Sequence, residues 1–238
     1  MIYNKYYILL LFAIYYYAVP TWAQDTTKEA KYEQIRISWN KALKNKRLYK
    51  RQPTTLLVET VKSLKQGTAL DVAMGTGRNA IYLAKQGWST TGFDISDEAL
   101  DSANAHAQKE GVTLETIVTP AEYFDYGENK WDLISFIYAD AICQFCLGND
   151  VELVKKLKLS LKPGGILVYE WFTMQAIRDI SEDQSRNQGC PDGIVLEAFK
   201  NVGGFDFILY EEELGIPDFD PTYKFEPAKL IYMVIRKK

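Results

Sequence analysis

Two carboxylates and two glycines are spaced so that a strand, a turn and a helix would bring them together. Ala69-Leu70-Asp71-Val72-Ala73 reads as a short strand, and Gly75-Thr76-Gly77-Arg78-Asn79-Ala80 follows as a turn into a helix. Two glycines at that junction permit a tight turn and let a ligand approach the backbone. The N–H groups at the helix start then favour an anion. Asp94 comes about 20 residues after Gly75, at the expected end of the next strand, where a carboxylate can accept from both hydroxyls of a ribose. That much also fits a nicotinamide or flavin nucleotide, since G-x-G-x-x-A is an accepted form of that fingerprint.

Asp71 helps to separate the ligands. It lies four residues before Gly75, at the strand end, facing the same crevice. Beside a pyrophosphate it adds like-charge repulsion in a partly desolvated site. Beside the ammonium of an amino acid it adds attraction, while the helix start takes that amino acid's carboxylate. A ligand with a ribose, an ammonium and a carboxylate is S-adenosylmethionine. A plainer reading, in which Asp71 only caps the turn through backbone N–H groups, stays open.

The surrounding elements are those needed to hold such a crevice. Ser89 to Phe93, closing on Asp94, is a second strand. Ser96 is a good helix N-cap with Asp97 and Glu98 in the first turn, Leu100, Ala103 and Ala107 form the buried face, and Gly111 is the stop. Leu114 to Val118 and Trp131 to Ile137 are nearly continuous in apolar residues, as buried strands are. Val151, Val154, Leu157 and Leu161 mark a helix, and Pro163-Gly164-Gly165 turns into a fifth strand, Ile166 to Glu170. This alternation predicts an α/β fold with a mostly parallel sheet and helices on both faces. Phe205 to Tyr210 and Leu230 to Ile235 read as a C-terminal antiparallel hairpin closing one edge. No helix is expected between those two strands.

Before this domain, residues from about Lys28 to Lys65 read as helical, with Ile35, Trp39 and Leu43 on one apolar stripe. Pro53 breaks them, and Thr54 or Thr55 can cap a second helix through Leu56, Leu57, Val61 and Leu64. Lys41, Lys44, Lys46, Arg47, Lys50 and Arg51 form a basic cluster, read as a solvated face with an anionic partner or membrane surface as the alternative. The first 23 residues have a short basic start, an uncharged run from Tyr6 through Ala23, and a small-residue end at Thr21-Trp22-Ala23. They read as an export signal cut before Gln24, or as an uncleaved anchor. The expected division is therefore 1–23 signal peptide or anchor, 24–66 N-terminal helices and 67–238 ligand-binding domain. The expected location is outside the cytosol, periplasmic or extracellular. The alternative is a membrane-anchored chain with a cytosolic domain, touching the membrane only through that segment.

Composition narrows the chemistry. The 238 residues carry 28 Lys+Arg against 31 Asp+Glu and a formal net charge of −3, which gives no general drive toward nucleic acid. A single histidine disfavours histidine-rich zinc sites, and any Ser-His-Asp relay would have to use His106, which reads as surface or packing. No metal site is expected, and three cysteines are too few for a disulfide-built scaffold.

The run Asp71-Val-Ala-Met-Gly-Thr-Gly-Arg-Asn-Ala-Ile-Tyr-Leu-Ala-Lys-Gln-Gly-Trp88, followed by Thr91-Gly-Phe-Asp-Ile-Ser96, resembles the class I S-adenosylmethionine-dependent methyltransferases. The GRNA…YLA…GW form is similar to their small-molecule, tellurite-resistance-like group. Trp131-Asp132-Leu133-Ile134, Leu161-Lys162-Pro163-Gly164-Gly165 and the closing hairpin extend the resemblance from about Thr54 to Lys238. It implies a Rossmann-like class I methyltransferase sandwich. It also implies Gly75 and Gly77 against the methionine portion of the cofactor, Asp71 near its ammonium, Asp94 on the ribose and Ile95 on the adenine. Ala121 and Glu122 would meet the adenine edge. The chain departs from the family at Pro120, where an Asp commonly accepts from the adenine amino group; proline has no side-chain acceptor and no N–H.

A methyl group leaves a sulfonium with its electron-pair partner departing neutral, so no acid is required. Catalysis can rest on alignment and on a base for the acceptor's proton. The candidate residues are Tyr138 and Asp140 after the fourth strand, with Glu170 at the end of the fifth. Phe136-Ile-Tyr-Ala-Asp-Ala141 lacks the Asn/Asp-Pro-Pro-aromatic motif of enzymes that methylate DNA-base amines. A small-molecule acceptor is expected, with a soft metalloid or a thiol among the candidates. Cys143, Cys146 and Cys190 read as buried thiols, as a disulfide, or as thiolates that capture a soft substrate. A nicotinamide-dependent oxidoreductase and a non-catalytic S-adenosylmethionine-binding protein remain as alternatives.

Overall fold

The structure is a computed structural model, and it describes residues 21–43, 52–139, 151–173, 189–217 and 228–238. The elements in chain order are α1 (Thr21–Leu43), α2 (Thr55–Val61), β1 (Thr68–Val72), α3 (Arg78–Lys85), β2 (Ser89–Asp94), α4 (Asp97–Lys109), β3 (Glu115–Val118) and β4 (Trp131–Ile137). They continue with α5 (Glu152–Ser160), β5 (Leu161–Phe172), α6 (Ile194–Val202), β6 (Phe205–Gly215) and β7 (Ala228–Lys237). The strands form one seven-stranded sheet in the order β3-β2-β1-β4-β5-β7-β6. The first five are parallel; β7 runs antiparallel to β5, and β6 antiparallel to β7. The expected mostly parallel sheet and closing hairpin are both present.

Alternate residues of the central strands feed two cores, as the period of a strand requires. Leu70, Val72, Ile134 and Phe136 join Leu153, Leu157, Val195 and Phe199 of α5 and α6 on one face. Ala69, Leu133, Ile166 and Val168 join Leu57 and Val61 of α2 and Leu83 of α3 on the other. Each fully buried leucine contributes about 1.5–3 kcal/mol of transfer free energy. The two packed faces hold the carboxyl edge of β1, β4 and β5 rigid, and that edge carries the candidate residues.

Several expectations are corrected. β3 is an edge strand rather than a buried one, and its Val118 is 52% exposed, because it pairs only with β2. Leu161 opens β5 instead of ending the preceding helix, so β5 reaches across Pro163-Gly164-Gly165 with a register shift opposite Trp131 and Leu133. A further helix, α6, precedes β6; Gly193 and Gly203 bound it, and Val195, Ala198 and Phe199 are its buried positions. Thr54 stands at the N-cap of α2 but makes no capping bond with its side chain; it donates its backbone N–H to Asn79 Oδ1 at 3.1 Å.

The N-terminal helix differs most from its sequence pattern. Trp39 is 46% exposed, so the stripe with Ile35 is not the docking face. Tyr32, Arg36 and Asn40, spaced by four, face the domain instead. Tyr32 meets the ring of Tyr123 edge-on at 5.0 Å, Arg36 Nη1 donates to Asp97 Oδ2 at 3.1 Å, and Asn40 Nδ2 donates to Asp97 Oδ1 at 2.7 Å. Ser96 Oγ, which accepts from Ala99 N as the cap of α4, donates to Asn40 Oδ1 at 2.6 Å. The bond from Asn40 and the charge of Arg36 hold the Asp97 carboxyl below its ordinary range. No described helix is long and apolar enough to cross a membrane, and residues 1–20 of the expected leader lie outside the described residues.

Asn40→Ala removes two of the three polar links from α1 to the start of α4 and leaves that of Arg36 to Asp97. The expected loss is about 1–3 kcal/mol, read as a lower urea midpoint at unchanged slope. A shift within experimental error would mean that α1 is held by something else.

Candidate active site

The site is built where β1, β4 and β5 end and α3 begins. Asp71 is the fourth residue of β1 and points to the face that carries α3, opposite Leu70 and Val72. It is 2% exposed. Ser135, its register partner on β4, donates Oγ–H to Asp71 Oδ1 at 2.6 Å, and Ala80 N donates to Oδ2 at 3.1 Å. The capping bond of the plainer reading is therefore present, and each oxygen keeps lone-pair capacity for another donor. Burial pushes the Asp71 carboxyl up to about 6, against the pull of Ser135, Ala80 and the Arg78 charge.

Between β1 and α3 the backbone turns through three left-handed residues, Ala73, Gly75 and Gly77, with φ of 50°, 53° and 82°. A Cβ at Gly77 would stand 2.9 Å from Ala103 Cβ, so α3 and α4 approach through that glycine. A Cβ at Gly75 would meet nothing within 4 Å, so the turn presents bare backbone to the crevice. Asp94, 8% exposed at the end of β2, closes the arrangement. Its Oδ2 accepts from Gly75 N at 2.9 Å and its Oδ1 from Ser96 N at 2.8 Å. Burial raises its pKa, while those backbone donors lower it.

On the far side of β2, half-buried Ile95 sits in the same loop. Thr119 N donates to Asp94 O at 2.9 Å, which brings the turn after β3 alongside. Ala121 packs against the main core. Glu122 is exposed and accepts a hydrogen bond from Tyr32 of α1, an interaction that, with burial, raises the Tyr32 pKa. Glu122 thus already has a partner from within the chain, at the place where the adenine edge was expected.

Tyr138 and Glu170 meet at the ends of β4 and β5. Tyr138 follows β4 with φ of 54°, an uncommon conformation for an aromatic residue. Its N–H donates to Glu170 O at 2.9 Å, and its phenol donates to Glu170 Oε1 at 2.5 Å. Glu170 is 2% exposed. The Arg78 guanidinium lies 5.7 Å from the centroid of the Tyr138 ring, and Phe172 packs against the same ring at 5.4 Å. Asp140, Cys143 and Cys146 lie outside the described residues. Cys190 is buried and disulfide-bonded, so it is not a free thiolate in this structure.

Sequence reasoning did not reach Ser135, the position of Arg78 over Tyr138, or the part played by Tyr32, Arg36 and Asn40. Ser135 had a signal: it is a polar residue inside the apolar run Trp131–Ile137, at the height of Asp71.

Comparison with known proteins agrees with this fold. Residues 69–165 match the family model of a methyltransferase domain. A ubiquinone biosynthesis O-methyltransferase from Actinobacillus pleuropneumoniae serotype 7 is 27% identical over an alignment of 156 residues that covers 61% of this chain and 64% of that relative's length. TehB from Haemophilus influenzae superposes with a TM-score of 0.61 at 19% identity, covering 76% of this chain and 61% of TehB. The [4+2]-cyclase SpnF superposes with a TM-score of 0.58 at 17% identity, covering 76% of this chain and 78% of SpnF. These two structural likenesses bear on the fold alone.

The raised pKa of Asp71 carries a signed prediction. The native state binds this proton more tightly than the unfolded chain, so the contribution of Asp71 to stability is most favourable below about pH 4. It falls as pH rises through the window from 3.8 to about 6, a cost of about 3 kcal/mol that persists above it. Asp71→Asn, which does not titrate, should make the decline in urea midpoints between pH 4 and 7 shallower and leave the part that comes from Asp94. Parallel profiles for the two proteins would contradict it.

Proposed function

We propose that this chain is a class I S-adenosylmethionine-dependent methyltransferase, an enzyme transferring a methyl group from that cofactor to a small-molecule acceptor; the methyltransferase-domain match over residues 69–165 and the methyltransferase relative support the reading. The carrying observation is the pair of buried carboxylates, Asp71 and Asp94, on either side of a left-handed glycine turn. A cationic ligand with an amino-acid end complements that charge, whereas a pyrophosphate meets two negative groups in a site of low polarity. This favours a sulfonium cofactor over a nicotinamide dinucleotide.

The residues present fit the cofactor. Bare backbone at Gly75 leaves room for close approach, and the start of α3 offers N–H groups toward a carboxylate. Asp71 would attract the ammonium, Asp94 would accept from the ribose, and Ile95 would pack on the adenine. Ala121 would line the adenine edge; Glu122 would take part there without losing its bond to Tyr32. The cofactor would supply a methyl group on a leaving group that departs neutral. The chain's own work is to hold the acceptor in line and exclude water, with Tyr138 at the end of β4 and Asp140 two residues beyond it as the proposed catalytic side chains.

Titration calorimetry on the purified chain tests this reading. Saturable binding of S-adenosylmethionine or S-adenosylhomocysteine is expected, with no heat from NAD(H) or NADP(H), and Asp71→Asn should weaken binding about tenfold, or 1.4 kcal/mol. Binding of a dinucleotide alone would overturn the proposal. Cofactor binding with no methyl transfer to any acceptor would favour the non-catalytic reading.

A further inference from the structure

We propose that Tyr138 and Glu170 form a proton-accepting dyad, and that the acceptor is therefore a neutral molecule carrying a hydroxyl or thiol hydrogen rather than an oxyanion. The inference rests on the cofactor reading above and extends it to the acceptor.

Tyr138 and Glu170 are joined twice, backbone to backbone at 2.9 Å and side chain to side chain at 2.5 Å. A phenol donating to a carboxylate at that separation is a charge-assisted bond. The phenol's proton is directed at Glu170, and a phenolic oxygen has lone pairs with which to accept from a further donor. The left-handed backbone at Tyr138 is an unfavourable conformation that the surrounding contacts impose. Phe172 at 5.4 Å on one side and Arg78 at 5.7 Å hold the ring in place. Glu170 reaches this position because it shares the α2/α3 face of the sheet with Val168 and Ile166, the face on which Asp71 and Ser135 also meet.

The proton balance is direct. As the acceptor's oxygen or sulfur forms its bond to carbon, its hydrogen passes to Tyr138 Oη, and the phenol's own hydrogen passes to Glu170 Oε1. Glu170 ends as a neutral acid, Tyr138 is regenerated as a phenol, and the electron pair of the broken O–H or S–H bond stays on the acceptor atom. Glu170 then returns its proton to solvent. An oxyanion acceptor has less need of this base and would face the carboxyl groups of Glu170, Asp71 and Asp94, beside which, among the described residues, Arg78 lies. In these terms Tyr138 is the catalytic residue and Glu170 the positioning residue that gives its proton somewhere to go.

The test uses the full chain, Tyr138→Phe and Glu170→Gln, with catechol and benzenethiol as neutral probes and tellurite and selenite as anionic ones. S-adenosylhomocysteine affinity, measured by calorimetry, should stay within about twofold in both variants and shows that they are folded. The parent chain should methylate at least one neutral probe, with a rate that falls as pH is lowered. Tyr138→Phe should lose about 100-fold in kcat. Glu170→Gln should lose a similar factor together with the acid limb of the pH profile, which a purely structural role would leave unmoved. Variants within threefold of the parent, turnover confined to tellurite or selenite, or cofactor binding with no neutral probe methylated would each overturn the dyad. Failure of the parent chain to bind S-adenosylhomocysteine would instead remove the cofactor reading on which the dyad rests.

Discussion

The Asp94 carboxylate is the interaction on which the rest of the site depends. One oxygen accepts from Gly75 in the turn after β1, and the other from Ser96 at the start of α4. Two crossover loops that would otherwise move separately are thereby tied at the carboxyl edge of the sheet. Ser96 passes the tie on to Asn40, and Asp97 takes Arg36 and Asn40, so the N-terminal helix is fastened to the same point. A neutral residue at position 94 could accept fewer of these bonds, and a residue without acceptors would leave buried N–H groups unpaired.

Charge distribution follows from that arrangement. Asp71, Asp94 and Glu170 are all buried at strand ends on one edge of the sheet, and for Asp71 and Asp94 the desolvation cost outweighs their hydrogen bonds. Arg78, at the first position of α3, lies close enough to favour the ionised form of Asp71 while resting over Tyr138. Such a concentration of negative charge is uneconomical for folding alone, and it is suited to a positively charged ligand. Two non-glycine residues with left-handed backbones, Ala73 after β1 and Tyr138 after β4, stand at the same edge, where strain tends to collect in functional sites.

Much of this was legible in the chain. The alternation of apolar runs located β1, β2 and β4 to within a residue, because each is buried and its pattern is local. Asp71, Gly75, Gly77 and Asp94 were legible for the same reason: a strand, a turn and a helix follow one another without long-range information. What depends on sheet order was not. The exposure of β3 follows from its edge position, and the pairing of Tyr138 with Glu170 follows from register between strands 32 residues apart. The docking face of α1 was not legible from apolar spacing, since Tyr32, Arg36 and Asn40 repeat at the same interval as Ile35 and Trp39. The missed α6 did have a local signal, since Ile194, Val195, Ala198, Phe199 and Val202 recur at helical spacing between two glycines.

The central claim is that the crevice tied together by Asp94 is the cofactor site. Hydrogen exchange of the full chain, measured with and without saturating S-adenosylhomocysteine, tests it most directly. The account predicts slower exchange in residues 74–80 and 95–99, and in the segment of α1 from Tyr32 to Asn40 that is fastened to them. Unchanged exchange in all three segments at saturation, or slowing confined to β6 and β7, would contradict it.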